Sequence, residues 1–323
     1  MHMIGYRRLA AAAAVFTAFI TAPAHAAEPV LRVGKAQPES IAFTPVDVGH
    51  RLGIFKKHGI DVAIMAFGGG AKLHQGIVAG SVDIGLGSGP DLPFIVKGAP
   101  ERAVAVTVNA PTYTVLMVKP ESPIKSPADV KGKSVLVGSE KSLTAWLAKR
   151  IAVEQGWKAT DIKVVPAGTG AERLALLRTG QADSMITDFT LATKLAKQHQ
   201  ARIAFSFGEL VPVFHTHMIF ASDKLIKEHP DQVKAFLAGW FDTIAFMQTH
   251  EKETVPVLMD VLKIDNDVAS QAWTKLMSMF STDGKFDSKA MAMLSKSFVD
   301  LGLLPSEPKD MSSLFTEAYL PKK

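Results

Sequence analysis

Three features of the sequence predict an α/β fold in two lobes, each a mostly parallel sheet with flanking helices, joined by a two-segment hinge. Short β-branched runs alternate with amphipathic stretches from Val30 onward, the pattern that lays helices on the faces of a parallel sheet. A segment that begins at Asp61 recurs a hundred residues later. After about Asp223 the strand pattern stops and helical periodicity continues alone.

The elements follow in chain order. Strands are predicted at Leu31–Gly34, Val62–Phe67, Val82–Leu86, Ala103–Val108 and Val115–Val118, then at Ser134–Val137, Ile162–Val165, Ser184–Thr187, Arg202–Phe205 and Met218–Ala221. Helices fall between them at Ala71–Ala79, Leu143–Gln155, Glu172–Thr179 and Leu191–Gln198, and the tail adds Pro230–Gln248, Val268–Phe280 and Ser288–Gly302. In the repeat, Asp61, Gly68, Gly70 and Ala71 align without a gap on Asp161, Gly168, Gly170 and Ala171, and Gly80 and Asp83 fall on Gly180 and Asp183. Glycine thus stands where a strand turns into a helix and again where that helix ends, so each copy reads as a βαβ unit. Any two βαβ units share some of this punctuation, so the repeat by itself also fits unrelated units. The apolar segments Thr112–Lys119 and Val213–Ser222 are read as the two crossings between lobes. This assigns 27–118 with 213–323 to the first lobe and 119–212 to the second, with one crevice between them, where ligands bind in open α/β sheets.

The 323 residues suffice for two domains, and 47% hydrophobic against 21% charged residues describes an ordinary globular chain. With no cysteine, disulfides, thiolate metal sites, cysteine nucleophiles and a lipid anchor through cysteine all drop out. Residues 1–26 read as a secretory signal peptide: Arg7 and Arg8 precede an apolar stretch from Leu9 to Ile20, and Ala24-His25-Ala26 is a small-residue cleavage site. The apolar stretch is shorter than the ~20 residues of a membrane span. Loss of Arg7 and Arg8 lowers the formal charge from +5 to +3, and basic residues alternate with acidic ones, so no nucleic-acid partner is expected.

Candidate ligand contacts sit after the predicted strands. Gly69 and Gly70 precede one helix, and Gly168, Thr169 and Gly170 precede its repeat, where free N–H groups and the helix dipole favour anions. Ser139 and Ser142 follow the strand Ser134–Val137, and Ser88 lies in a glycine-bracketed turn after Val82–Leu86. Ser142 reads equally as a helix N-cap, and Asp188 reads as a cap or a ligand contact. Gln37, Ser40 and Asn109 are polar groups at strand ends. His215-Thr216-His217 could present two imidazoles to a metal, or His215 could touch ligand; no metal and no cofactor are expected. Enzyme signatures fail. Gly132-Lys133-Ser134 lacks the first glycine of a phosphate loop, Pro127 standing in its place, and Pro123 breaks Ser122-x-x-Lys125.

The run Leu52-Gly53-Ile54-Phe55-Lys56-Lys57-His58-Gly59-Ile60-Asp61-Val62 resembles the signature of periplasmic substrate-binding proteins of the sulfonate, taurine, nitrate and thiamine-precursor group. Later blocks are similar too, including Ala79-Gly80-Ser81-Val82-Asp83, Ser126-Pro127-Ala128-Asp129 and Arg178-Thr179-Gly180-Gln181-Ala182-Asp183. The resemblance implies a type II periplasmic binding protein that closes on a small ligand and delivers it to an ABC permease in the inner membrane; a monomer is expected, and without cysteine it has no lipid anchor. It implies ligand loops at Gln37–Ser40, Gly69–Gly70, Ser88, Asn109, Ser139–Ser142 and Asp188. The chain departs from the family around Asp188, where a proline and a tryptophan are missing, and no arginine falls at a predicted cleft position. A small organic or inorganic anion, such as a sulfonate, taurine, nitrate or a carboxylate, is the ligand expected. The alternative is an enzyme on the same fold acting on a thiamine pyrimidine precursor or another small molecule; the pyrimidine-making relatives use a cysteine-rich motif that is absent here.

Overall fold

The computed structural model describes His2 and residues 30–322; the signal peptide expected over 1–26 otherwise lies outside the described residues. Ten strands form, each within two residues of its predicted place: β1 Val30–Lys35, β2 Asp61–Ala66, β3 Ile84–Ser88, β4 Glu101–Val108, β5 Thr114–Val118, β6 Ser134–Val137, β7 Lys163–Pro166, β8 Ser184–Asp188, β9 Arg202–Ser206 and β10 His217–Ser222. They build two five-stranded sheets, ordered β2-β1-β3-β10-β4 and β7-β6-β8-β5-β9. In the first, β1 runs parallel to β2 and β3 while β10 is antiparallel to both its neighbours. The second repeats this position for position, with β5 as the reversed strand.

The sequence repeat is therefore structural. The helices Gly70–Val78 and Gly170–Arg178 begin and end a hundred residues apart. The repeated aspartates tie the third strand in each sheet's order to the second: Asp83 accepts from the Arg32 N–H at 2.9 Å, and Asp183 from the Ser134 N–H at 2.8 Å. The sequence reading ends the first lobe at residue 118, yet β5 pairs with β8 and β9 of the second sheet. The chain leaves the first sheet at Asn109, where turns closed by Ala110 and Pro111 carbonyls redirect it. A short buried apolar run does not reveal which sheet it joins, and this one is buried along its whole length.

The return crossing lies beside the outgoing one, with the Phe214 N–H donating to Asn109 C=O at 3.1 Å and the Thr216 N–H to Val108 C=O at 3.0 Å. The C-terminal helices then wrap what is built. Pro230–Thr249 packs on the helices Thr44–Arg51 and Ile54–Lys57 beside the first sheet, and Asn266–Leu276 packs on Phe189–Lys197 beside the second. Beside short helices of four to six residues, two longer ones escaped the sequence reading: Thr44–Arg51, and Glu251–Leu262, which carries Pro256 inside it. Proline reads as a helix breaker, but Pro256 lies on the second turn and its helix is held by buried Val255, Val257 and Leu258.

The Gly-x-Phe signature has a packing role. Phe55 stacks on Phe236, ring centroids 5.2 Å apart, and fits between two glycines. A Cβ at Gly239 would stand 2.6 Å from the Phe55 ring and one at Gly49 2.7 Å from it. Gly53 and Gly59 bracket the short helix with φ of 65° and 74°, where a side chain would be strained. The motif thus binds the N-terminal helices to the C-terminal layer. Gly239→Ala is expected to overpack this contact and cost about 1–3 kcal/mol in urea unfolding; an unchanged midpoint would remove the contact's importance.

Candidate functional site

The candidate residues share one edge of each sheet because parallel strands place their C-terminal ends together. Gln37 and Ser40 follow β1, Gly69 and Gly70 follow β2, Ser88 ends β3, and Asn109 follows β4. In the second sheet Ser139 and Ser142 follow β6, Thr169 follows β7 and Asp188 ends β8. A single joint brings these edges together. His217 pairs with Ser88, Thr114 pairs with Asp188, and the Tyr113 hydroxyl lies 3.1 Å from His217 Nδ1. Phe43 meets the His217 ring edge-on at 5.0 Å, and Trp146 stacks on Phe214 at 4.2 Å. Two shallow, open surface hollows lie elsewhere, by Arg102 and Asp223 and by Arg32 and Asp83, away from the loop edges.

Several candidates also shape the loops. Ser142 Oγ accepts from the Ala145 N–H at 3.3 Å and donates to Ser139 C=O at 2.7 Å. Thr169 and Glu172 form a reciprocal capping box, and Asp188 accepts from the Leu191 N–H at 2.9 Å. Each of these is an N-cap, as the sequence allowed for Ser142 and Asp188. Gln37, Asn109, Ser139 and Thr169 are exposed at the edge, whereas Ser40 is buried.

The two histidines of His215-Thr216-His217 part company. β10 begins only at His217, so strand alternation does not apply to His215, whose Nε2 accepts from the Asp287 N–H at 2.8 Å. His215 thereby anchors the helix Ser288–Asp300 rather than pairing with His217. Among the described residues no group of three or more metal-ligating acids or histidines assembles. Burial holds both imidazoles neutral, with pKa values pushed down to about 4, against the weaker pull of Asp287 on His215 and of Asp91 on His217.

Under the first glycine loop lies a charge cluster that sequence reading missed. His74, one turn into the helix Gly70–Val78, bonds Glu101 through Nδ1 at 2.8 Å and places Nε2 3.5 Å from Asp91. Burial opposes its charge, but the two carboxylates prevail and raise it to about 9. Asp91 accepts from the Ser88 N–H at 2.7 Å and lies against Gly70, where a Cβ would stand 2.5 Å from its carboxylate. The glycine at 70 therefore makes room for the protein's own acid. Lys35, buried at the end of β1, is likewise taken, by Asp47 at 2.9 Å.

Arg173 was also missed. It lies four residues beyond the Thr169 cap, and its guanidinium returns to the loop edge to donate to Gly168 C=O. Its Nη1 stands 3.6 Å from the position of a Cβ on Gly138. The residue stands in a helix by sequence, while its side chain reaches the loops. The signal available was its i+4 spacing from the capped loop residue.

Two like sheets whose loop edges meet at a joint of two crossings define the periplasmic-binding-protein fold, which solved structures share. The chain belongs to the NMT1/THI5-like family, whose model matches residues 40–254. It is 24% identical over 280 residues to a candidate binding protein of Brucella abortus, covering 81% of this chain and 84% of that one. It is 22% identical over 241 residues to a candidate aliphatic sulfonates-binding protein of Bacillus subtilis, covering 74% and 71%. The periplasmic aliphatic sulphonate binding protein SsuA of Escherichia coli superposes with a TM-score of 0.75 at 19% identity, over 91% of this chain and 94% of that one.

The histidine shifts fix a pH dependence. For His74 the folded value lies above the free value of 6.5, so its contribution is full below pH 6.5 and is lost as pH rises through about 9. For His215 and His217 the folded values lie below it, so their contribution is full above pH 6.5 and is lost as pH falls toward about 4. Stability in urea is expected to peak near pH 6.5 and to lose on the order of 3 kcal/mol by alkaline pH. His74→Gln should flatten the alkaline limb alone. A wild-type curve level from pH 6.5 to 9.5 would mean that His74 carries no proton.

Proposed function

We propose that this chain is the exported solute-binding component of an ABC importer and that it takes a small organic anion of the sulfonate kind between its two sheets. The observation that carries the reading is the convergence of two repeated sets of strand-end loops, rich in glycine and hydroxyl donors, on the Tyr113–His217 joint. The names of the Bacillus and Escherichia relatives support the sulfonate class, and the amino-terminal signal supports export to the periplasm. On this reading the first lobe comprises residues 30–109 and 214–322, the second 112–210, and the protein works as a monomer. Gln37, Gly69, Ser88, Asn109, Ser139, Ser142, Thr169 and Asp188 border the ligand. His215, whose Nε2 is engaged by Asp287, is left out. Ligand that touches both lobes favours the closed arrangement, and the permease reads closure.

A thermal-shift screen of the chain from Ala27 tests this with alkanesulfonates, taurine, nitrate, carboxylates, phosphonates and pyrimidines. A compound at 100-fold over its Kd adds ~2.7 kcal/mol, which raises Tm by about 2–4 °C. A shift confined to sulfonates is expected, with the compound recovered unchanged by NMR. Conversion of the compound would instead establish catalysis. A flat screen, on protein refolded to strip copurified ligand, would reject the anion reading.

A further inference from the structure

The repeat places the two glycine loops in matching positions, so their surroundings can be compared residue by residue. At the first loop the position of Leu73 is apolar and fully buried, and that of Asp91 is acidic. A hundred residues on, Arg173 replaces Leu73 and Leu191 replaces Asp91. The contacts follow the exchange: a Cβ on Gly70 would meet the Asp91 carboxylate at 2.5 Å, and one on Gly170 would meet the Leu191 side chain at 2.8 Å. Charge is therefore inverted between the edges. At the first sheet an internal carboxylate already lies against the helix start, and the buried cations His74 and Lys35 face Asp91, Glu101 and Asp47. An incoming anion finds that place taken by like charge.

At the second sheet the situation is reversed. Arg173 donates to Gly168 C=O, and among the described residues its Nε is buried without an acceptor and no carboxylate bonds to it. Glu172, the adjacent acid, is held by the Thr169 N–H at 2.6 Å, and Asp188 acts on the guanidinium only through space while accepting from Leu191 and Thr190. A guanidinium largely withdrawn from water and lacking an ion-pair partner is costly to fold and is suited to a ligand that supplies the missing charge. Lys72 and Lys141 also border the loops, but both are exposed.

We infer that Arg173 recognises the acid group of the ligand, which seats against the Gly138–Ser139 and Gly168–Thr169 loops of the second sheet. The organic remainder then extends toward the loops of the first sheet. This rests on the sulfonate-class reading above and adds to it a fixed orientation and the residue that selects for charge. A guanidinium matches the oxygens of a sulfonate or carboxylate through two parallel N–H bonds, which a single ammonium cannot reproduce.

Calorimetric titration of the wild type, Arg173→Gln and Arg173→Lys with butanesulfonate, taurine and nitrate tests the assignment. Arg173→Gln is expected to weaken the bound compound by about 10- to 100-fold. Arg173→Lys, which keeps the charge but not the fork, should fall between it and the wild type. The ligand-free Tm of Arg173→Gln should stay level or rise, because an uncompensated cation is removed; a purely structural latch to Gly168 would lower it. Binding by Arg173→Gln within twofold of the wild type, or a loss of affinity matched by a lower ligand-free Tm in both variants, would overturn the role of Arg173 and leave the sulfonate reading standing. A wild type that binds none of the three compounds would reject both.

Discussion

The ladder that holds β10 between β3 and β4 is the interaction on which the rest of the structure depends. Met218, Ile219, Phe220 and Ala221 are fully buried there and pair on both sides, yet the chain reaches them only after completing the second sheet. β5 does the same in reverse, filling the place between β8 and β9 straight after the chain leaves the first sheet. Each crossing therefore ends in the interior of a sheet and not at an exposed edge. The two crossings cannot slide without breaking ladder hydrogen bonds, so the loop edges they join are held in register. Such pairings between residues far apart in sequence are slow to form, and they make neither sheet complete until the whole chain has passed between them.

Much of this was legible because the repeat is written in residues with backbone duties. Gly68, Gly70, Gly80 and Asp83 mark turns and a strand tie, and their counterparts mark the same places, so strand and helix positions followed closely. What could not be read was allegiance. Nothing in Thr114–Val118 distinguishes a strand that ends one sheet from one that enters the next, because both are short, apolar and buried. The gathering of the candidate loops was legible, since strand ends in a parallel sheet fall on one edge whatever their side chains. Its side-chain chemistry was less so: the reach of Arg173 from a helix back to the loops depends on rotamer and packing, and the approach of His74 to Glu101 joins residues from a helix and a distant strand. The caps at Ser142, Thr169 and Asp188 illustrate the same limit, because a polar side chain at a strand end reads in sequence equally as a cap or as a ligand contact.

The electrostatics of the two edges differ more than their backbones do. One edge keeps its charges in closed accounts, Lys35 with Asp47 and His74 with Asp91 and Glu101, all within a single sheet and its helices. Burial raises the Asp47 carboxylate against the pull of Lys35, so that pair is held at a cost its packing must offset. The other edge leaves a guanidinium whose one hydrogen-bond partner among the described residues is a carbonyl. Near-identical βαβ frames thus carry opposite signs at matching positions, a division that gives an elongated ligand a direction.

The joint itself is neutral, and this bears on how the two halves can move. Tyr113 and His217 meet across the crossings as uncharged groups: burial raises the phenol above its ordinary value and lowers the imidazole to about 4. A neutral hydrogen bond contributes about 1 kcal/mol net, whereas separating a buried ion pair costs several. A charged pair at this point would lock one arrangement of the halves, since any opening would strand both charges away from water. The ion pairs that do join the halves, Lys197 with Asp265 and Asp267, lie exposed at the surface, where such pairs contribute little, so with a neutral contact at the crossings the chain keeps the difference between its arrangements small. A ligand that bridges the edges with one or two charge-assisted hydrogen bonds can then decide which arrangement prevails.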